Sequence, residues 1–163
     1  MLPITDQQLR GAFVNASRKE TSLITPPDGL ATTDWESLDF LGWRDPKLPR
    51  RAYAIIPTLE GDPVGILLQQ AEASPRSRAQ CSWCQDVRLP NDVVFFSAKR
   101  AGPAGRKGDT IGTLVCERFQ CSQNVRKPPP LPYDGYDLEA AKLRRIDELQ
   151  LRAAGFAHAV TRA

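Results

Sequence analysis

Four cysteines in two close pairs constrain this chain more than any other feature. Cys81 and Cys84 form a CxxC pair, and Cys116 and Cys121 form a Cx4C pair. A zinc ion takes four thiolates in a tetrahedron, and two close pairs supply them with little chain entropy lost inside each pair. A redox-active CxxC would leave the second pair without a purpose. Structural disulfides need an oxidising compartment. The opening Met1-Leu2-Pro3-Ile4-Thr5-Asp6 has no basic segment leading into an apolar one, so no signal peptide and a cytoplasmic location are expected. Four cysteine ligands leave no open coordination position, which argues against a catalytic metal. The expectation is one structural zinc ion held by Cys81, Cys84, Cys116 and Cys121.

The residues between the pairs predict how that site is built. Val93-Val94-Phe95-Phe96 and residues 111–115 read as two buried strands, joined by a mobile, basic, glycine-rich loop over 99–108. The second pair falls where a strand gives way to a short polar helix, whose N-terminus favours thiolate charge. Knuckle, hairpin and helix in that order make a treble-clef zinc finger, with a zinc lobe over about residues 79–127.

Elsewhere, Thr5 caps a helix expected to run through Ser17, with Leu9, Ala12, Phe13 and Ala16 on its apolar face. The cluster from Trp35 to Trp43 reads as a core-anchoring loop or short helix. Residues 52–58 and 64–69 read as a β-hairpin turned at Glu60-Gly61-Asp62-Pro63. A polar stretch, Glu72 to Gln80, leads to the first cysteine pair. The prolines at 128–130 and 132 read as a stiff connector. A C-terminal helix over about 137–160 repeats Leu138, Ala141, Ile146, Leu149, Ala153, Phe156 and Val160 at 3–4 spacing, and its other face carries Lys142, Arg144, Arg145, Glu148 and Arg152. The fold class is therefore α+β: a treble-clef zinc finger with β-hairpins, an N-terminal helix and a C-terminal helix, in one domain over 1–163.

Composition narrows the function. With 41% hydrophobic and 25% charged residues, the chain has the balance of a soluble globular protein, and no apolar run approaches a membrane span. A net charge of +3 is too mild to announce a nucleic-acid binder. His158 is the only histidine and reads as a surface residue. Gly102, Gly105 and Gly108 lack the spacing of a phosphate cradle, and Asp34, Asp39 and Asp45 form no acid–base pair. The chain reads as a non-enzyme without a small-molecule substrate.

At this point the residues carry a resemblance. Phe40-Leu41-Gly42-Trp43-Arg44-Asp45-Pro46, Gly65-Ile66-Leu67-Leu68, Cys81-Ser82-Trp83-Cys84, Ala98-Lys99-Arg100-Ala101-Gly102, Gly105-Arg106-Lys107-Gly108, Gly112-Thr113-Leu114-Val115-Cys116 and Cys121-Ser122 follow in order. Together, over about residues 5–160, they resemble the C-terminal treble-clef zinc-finger domain of the FusB-type, elongation factor G-binding proteins. The resemblance implies binding of elongation factor G and its release from a ribosome stalled by fusidic acid. It carries the zinc ligands onto the four cysteines and partner contacts onto Trp83 and Lys107, with Arg106 and Arg118 as neighbours. The family's resistance proteins add an N-terminal helical bundle. Here one helix precedes the zinc-finger region, so the sequence reads as the stand-alone form.

Two binding hypotheses follow. A zinc-stiffened scaffold can present the basic loop, including Lys99, Arg100, Arg106 and Lys107, beside Trp83 to an acidic surface of elongation factor G. Alternatively, Lys99, Arg100, Arg106, Lys107, Arg126 and Lys127 contact ribosomal RNA, with binding that falls steeply with salt. Trp83 itself has a second reading, as packing against the zinc site's own apolar shell. The loop likewise has one, as an ordinary solvated hairpin end.

Overall fold

The structure, a computed structural model, describes residues 1–58, 61–72, 79–87, 92–128 and 133–162. Helices α1 (Asp6–Gly11) and α2 (Arg18–Ser22) precede strands β1 (Leu41–Arg44), β2 (Arg51–Ile56), β3 (Val64–Gln70) and β4 (Val93–Lys99). Helix α3 (Gly102–Arg106), strand β5 (Thr110–Cys116), α4 (Cys121–Arg126) and α5 (Leu138–Thr161) complete the chain. The strands form one antiparallel sheet in sequential order, so the fold is α+β. Among the described residues, no helix is long and apolar enough to cross a membrane.

Strand β2 is buried from Ala52 to Ile56 because both of its faces are covered. Ala52, Ala54 and Ile56 join a core with Leu68, Trp83, Phe96, Val115 and the α5 residues Leu149, Phe156 and Val160. Tyr53 and Ile55 face the other way, into a second cluster with Ile4, Leu9, Ile24, Leu41 and Trp43. The aromatic stretch from Trp35 to Trp43 anchors the core as expected, through a 3-10 turn at Trp35–Ser37 and β1: Trp35, Leu38, Leu41 and Trp43 join the second cluster, whereas Phe40 enters the first. The sheet also curls. A Cβ on Gly42 of β1 would lie 2.4 Å from Cγ of Phe119, beyond the far strand, so only glycine lets these elements meet.

The expected N-terminal helix is corrected. Thr5 does cap α1, in a capping box with Gln8, but the helix ends at Gly11. The next residues fill a gap in the sheet, because β3 and β4 pair only at Gln69–Ser97 and Gln70–Phe96. Val14 donates its N–H to Gly65 O at 3.0 Å, and Gly65 donates to Ala12 O at 2.9 Å. The Asn15 amide bonds both the N–H and the carbonyl of Leu67, at 2.8 and 3.0 Å, and donates to Lys99 O at 3.0 Å. These bonds satisfy a strand edge that a continuous helix would leave bare. Ser17, expected inside the helix, instead caps α2 in a second capping box with Glu20.

Both hairpins form. Of the first turn, Glu60 lies outside the described residues, as do parts of the polar stretch (73–78), the zinc lobe (88–91) and the proline run (129–132). The loop over 99–108 is corrected to an ordered turn containing α3, with Pro103 in its first turn. A Cβ on Gly105 would meet Arg100 O at 1.8 Å, so this close approach requires glycine. The turn docks on the end of α5: Ala101 N–H donates to Val160 O at 2.8 Å, and Arg100 donates to the carbonyl of Ala159 and pairs with Asp109 at 3.2 Å.

Helix α5 begins where expected, capped by Asp137, and buries Ala141, Leu149, Ala153, Phe156, Ala157 and Val160. Arg145 donates to Lys127 O and Asn124 O at 2.7 and 2.8 Å, satisfying carbonyls at the C-terminal end of α4. Two of the scattered acids turn out to be structural. Buried Asp39 accepts from Arg126 at 2.5 Å and from Gln150 at 2.9 Å, tying α4 to α5. Buried Asp45 accepts from the Tyr53 hydroxyl at 2.5 Å and from the N–H groups of Lys47 and Leu48.

Candidate metal centre

The first pair sits in a tight turn fixed to the hairpin. Ser82 N–H donates to Leu114 O on β5 at 2.8 Å, and Gln85 N–H returns to Cys81 O at 2.9 Å. Cys116 is the last residue of β5, opposite Val93, and Cys121 is the first of α4. Between them Phe119 adopts a left-handed backbone (φ 57°) and donates its N–H to Cys116 O at 2.9 Å. That conformation turns the chain and places the Phe119 ring between Phe40 and Phe96, at centroid distances of 6.4 and 5.5 Å.

All four cysteines are buried and unbridged. Sγ of Cys81 lies 3.7 Å from Sγ of Cys121, and Sγ of Cys84 lies 3.6 Å from Sγ of Cys116. All four sulfurs fall within 4.8 Å of one another. A disulfide needs about 2.05 Å. A zinc tetrahedron with bonds of about 2.3 Å has edges of about 3.8 Å. The spacing fits a metal, so the sequence expectation holds: the four thiolates form a closed site for one zinc ion.

Without a cation the crowded sulfurs cannot all ionise. Hydrogen bonds with Cys116, Cys81 and Cys84, together with burial, push the Cys121 thiol well up. Bonds from Cys116, Cys121 and Cys84 push Cys81 down. Packed together, the sulfurs share protons, and a divalent cation is what lets all four be thiolates.

The knuckle stores a little strain. Gln85 sits at φ 55°, a conformation that costs a residue with a Cβ about 1 kcal/mol. Gln85→Gly is expected to raise stability by about 0.5–1 kcal/mol, read as a higher melting temperature of the zinc-loaded protein. An unchanged or lower value would show that the Gln85 side chain contributes more than the strain costs.

The structure separates the expected partner residues. Trp83 is corrected: it is 1% exposed, edge-on to Phe40 at 4.8 Å and beside Phe156 at 5.7 Å, so it packs inside and presents no surface. Arg100 is committed to Asp109 and the end of α5. Lys99, Arg106, Lys107 and Arg118 are exposed. The knuckle and Arg118 lie at the Cys116 end of β5, whereas Lys99 and Lys107 lie at its Thr110 end. Six strand steps, about 20 Å, separate the two ends. The basic turn is thus not beside the knuckle. Of the candidate RNA-binding cations, Arg126 is held by Asp39. His158 is exposed, as expected. Sequence reasoning missed Asn124, whose amide touches two of the sulfurs. Its one sequence signal is its place three residues after Cys121, on the same helical face.

A curled sheet carrying knuckle, hairpin and ligand-bearing helix defines a treble-clef zinc-finger protein. Residues 8–160 match the family described as the FBP C-terminal treble-clef zinc-finger, and the chain belongs to that family. No curated protein matches it. Among solved structures it is similar to the fusidic acid resistance protein FusC, with a TM-score of 0.51 and 17% identity, over 85% of this chain and 58% of that one. At that identity the likeness is one of fold, and this chain spans little more than half the length of that neighbour.

Proposed function

We propose that the chain is a binding module, not an enzyme, that acts as one unit in the cytoplasm. It binds elongation factor G and promotes the factor's release from the ribosome. Membership of the zinc-finger family over residues 8–160 carries this reading, and the fold shared with a fusidic acid resistance protein supports it. The docked turn adds a physical motive. Arg106 and Lys107 stand exposed on a turn fixed to α5, with Lys99 exposed at the strand end that enters it, so their backbone is presented with little ordering cost on binding. Protection against fusidic acid is the corresponding cellular role.

The test is co-purification of the zinc-loaded protein with elongation factor G and with ribosomes across a salt series. The expected result is capture of the factor alone, persisting at moderate salt, and weakened at least tenfold by joint Arg106→Glu and Lys107→Glu replacement. Capture of factor-free ribosomes with a steep loss on adding salt would overturn the reading in favour of ribosomal RNA. Full factor binding by the double variant would move the site away from this turn.

A further inference from the structure

Four thiolates around a dication leave a net charge of about 2−, and here they are buried, where water cannot spread that charge. The surrounding donors therefore decide how reactive the sulfurs remain. Asn124, fully buried on α4, supplies one such donor. Its Nδ2 lies 3.5 Å from Sγ of Cys116 and 3.9 Å from Sγ of Cys84. Its Oδ1 lies 3.1 Å from Nζ of Lys127.

Chemistry fixes the orientation of that amide. A metal-bound thiolate only accepts and an ammonium only donates, so the NH2 must face the sulfurs and the carbonyl must face Lys127. The two contacts reinforce each other, because a cation on the carbonyl oxygen polarises the amide and makes its N–H a stronger donor. The backbone is held as well, since Arg145 donates to the carbonyls of both Asn124 and Lys127. Lys127 belongs to the exposed surface, while Asn124 reaches the sulfurs. The pair thus links surface charge to the metal shell.

We propose that Asn124, polarised by Lys127, is a positioning residue that damps the nucleophilicity of the Cys116 and Cys84 sulfurs and so slows loss of zinc to electrophiles. In such an attack by a maleimide, sulfur bonds to an alkene carbon, the sulfur–zinc bond breaks, and the resulting enolate takes a proton from water. Each hydrogen bond to sulfur withdraws the electron pair that begins this step.

The test uses the zinc-loaded full chain with N-ethylmaleimide, an indicator chelator to read released zinc, and peptide mapping of the modified cysteines. Asn124→Asp keeps the shape and the Lys127 contact but removes the donor. It is expected to release zinc about tenfold faster or more, with Cys116 and Cys84 modified before Cys81. Lys127→Met should act in the same direction with a smaller effect. In the cobalt-loaded protein, both changes should move the sulfur-to-metal charge-transfer band to lower energy, a signal that packing alone would not shift. Wild-type release rates and an unmoved band in both variants would overturn the proposal. So would Asn124→Asp in which all four cysteines react together. If Asn124→Asp does not fold, Lys127→Met decides: an unchanged rate and band overturn the proposal, and a faster rate with a shifted band support it.

Discussion

Stripping the zinc with excess chelator, or replacing Cys84 by serine, is expected to unfold the lobe around residues 79–127. The elements there are short. Helix α4 spans only Cys121–Arg126, far below the roughly 12–15 residues that make an isolated helix even marginal. It is held by Cys121, by the Asp39–Arg126 pair and by Arg145. The knuckle is held by its two cysteines, by the Ser82–Leu114 bond and by the buried Trp83. Structural zinc contributes an apparent 10–16 kcal/mol or so, of the same order as the entire stability of an ordinary domain. Its loss therefore exceeds what the remaining contacts supply. The β1–β3 side has its own apolar cluster beneath the N-terminal segment, which includes no cysteine. Amide exchange should accordingly accelerate first in β4, β5 and α4, while Tyr53 and Ile55 keep more of their protection. A Cys84→Ser protein that retains one zinc per chain and melts like wild type would refute this account.

How much of this was legible beforehand depends on the range of the interaction involved. The metal site was readable because its ligands lie in two local pairs, and chemistry fixes what four such thiols can do. Helix α5 was readable because its buried residues repeat on one face. The failures lie where distant partners decide. Nothing in Ala12, Phe13, Val14 and Asn15 reveals that β3 and β4 diverge and leave an edge for them to fill. Glycines at 102, 105 and 108 suggest a loose loop until the end of α5, more than fifty residues away, is seen to anchor it. Ser17-Arg18-Lys19-Glu20 did carry a local signal, a capping box, that an apolar-spacing reading overran. Trp83 could not be assigned because the side on which a knuckle residue lies depends on Phe156 of the last helix.

Trp83→Ala is expected to cost about 3–5 kcal/mol, the range for truncating a fully buried aromatic, with the proposed binding of elongation factor G falling only as the folded fraction falls. The indole contacts Phe40 edge-on and Phe156 obliquely, so its removal empties the space between the knuckle and α5. Arg152, which donates to Trp83 O at 3.3 Å, does not fill that space, since it bonds the backbone and pairs with Glu148. Trp83→Phe discriminates between the two roles that the sequence allowed. The indole Nε1 is buried without a hydrogen-bond partner among the described residues, so phenylalanine removes an uncompensated donor while leaving a smaller void. A core residue should tolerate this change far better than alanine, with a modest drop in melting temperature and unaltered affinity of the folded protein. A surface anchor would respond the other way, with affinity lost and stability kept. A calorimetric melt paired with a binding titration on the same sample separates these outcomes. If affinity falls at unchanged melting temperature, Trp83 must leave the core to meet its partner, and the zinc lobe must open to bind.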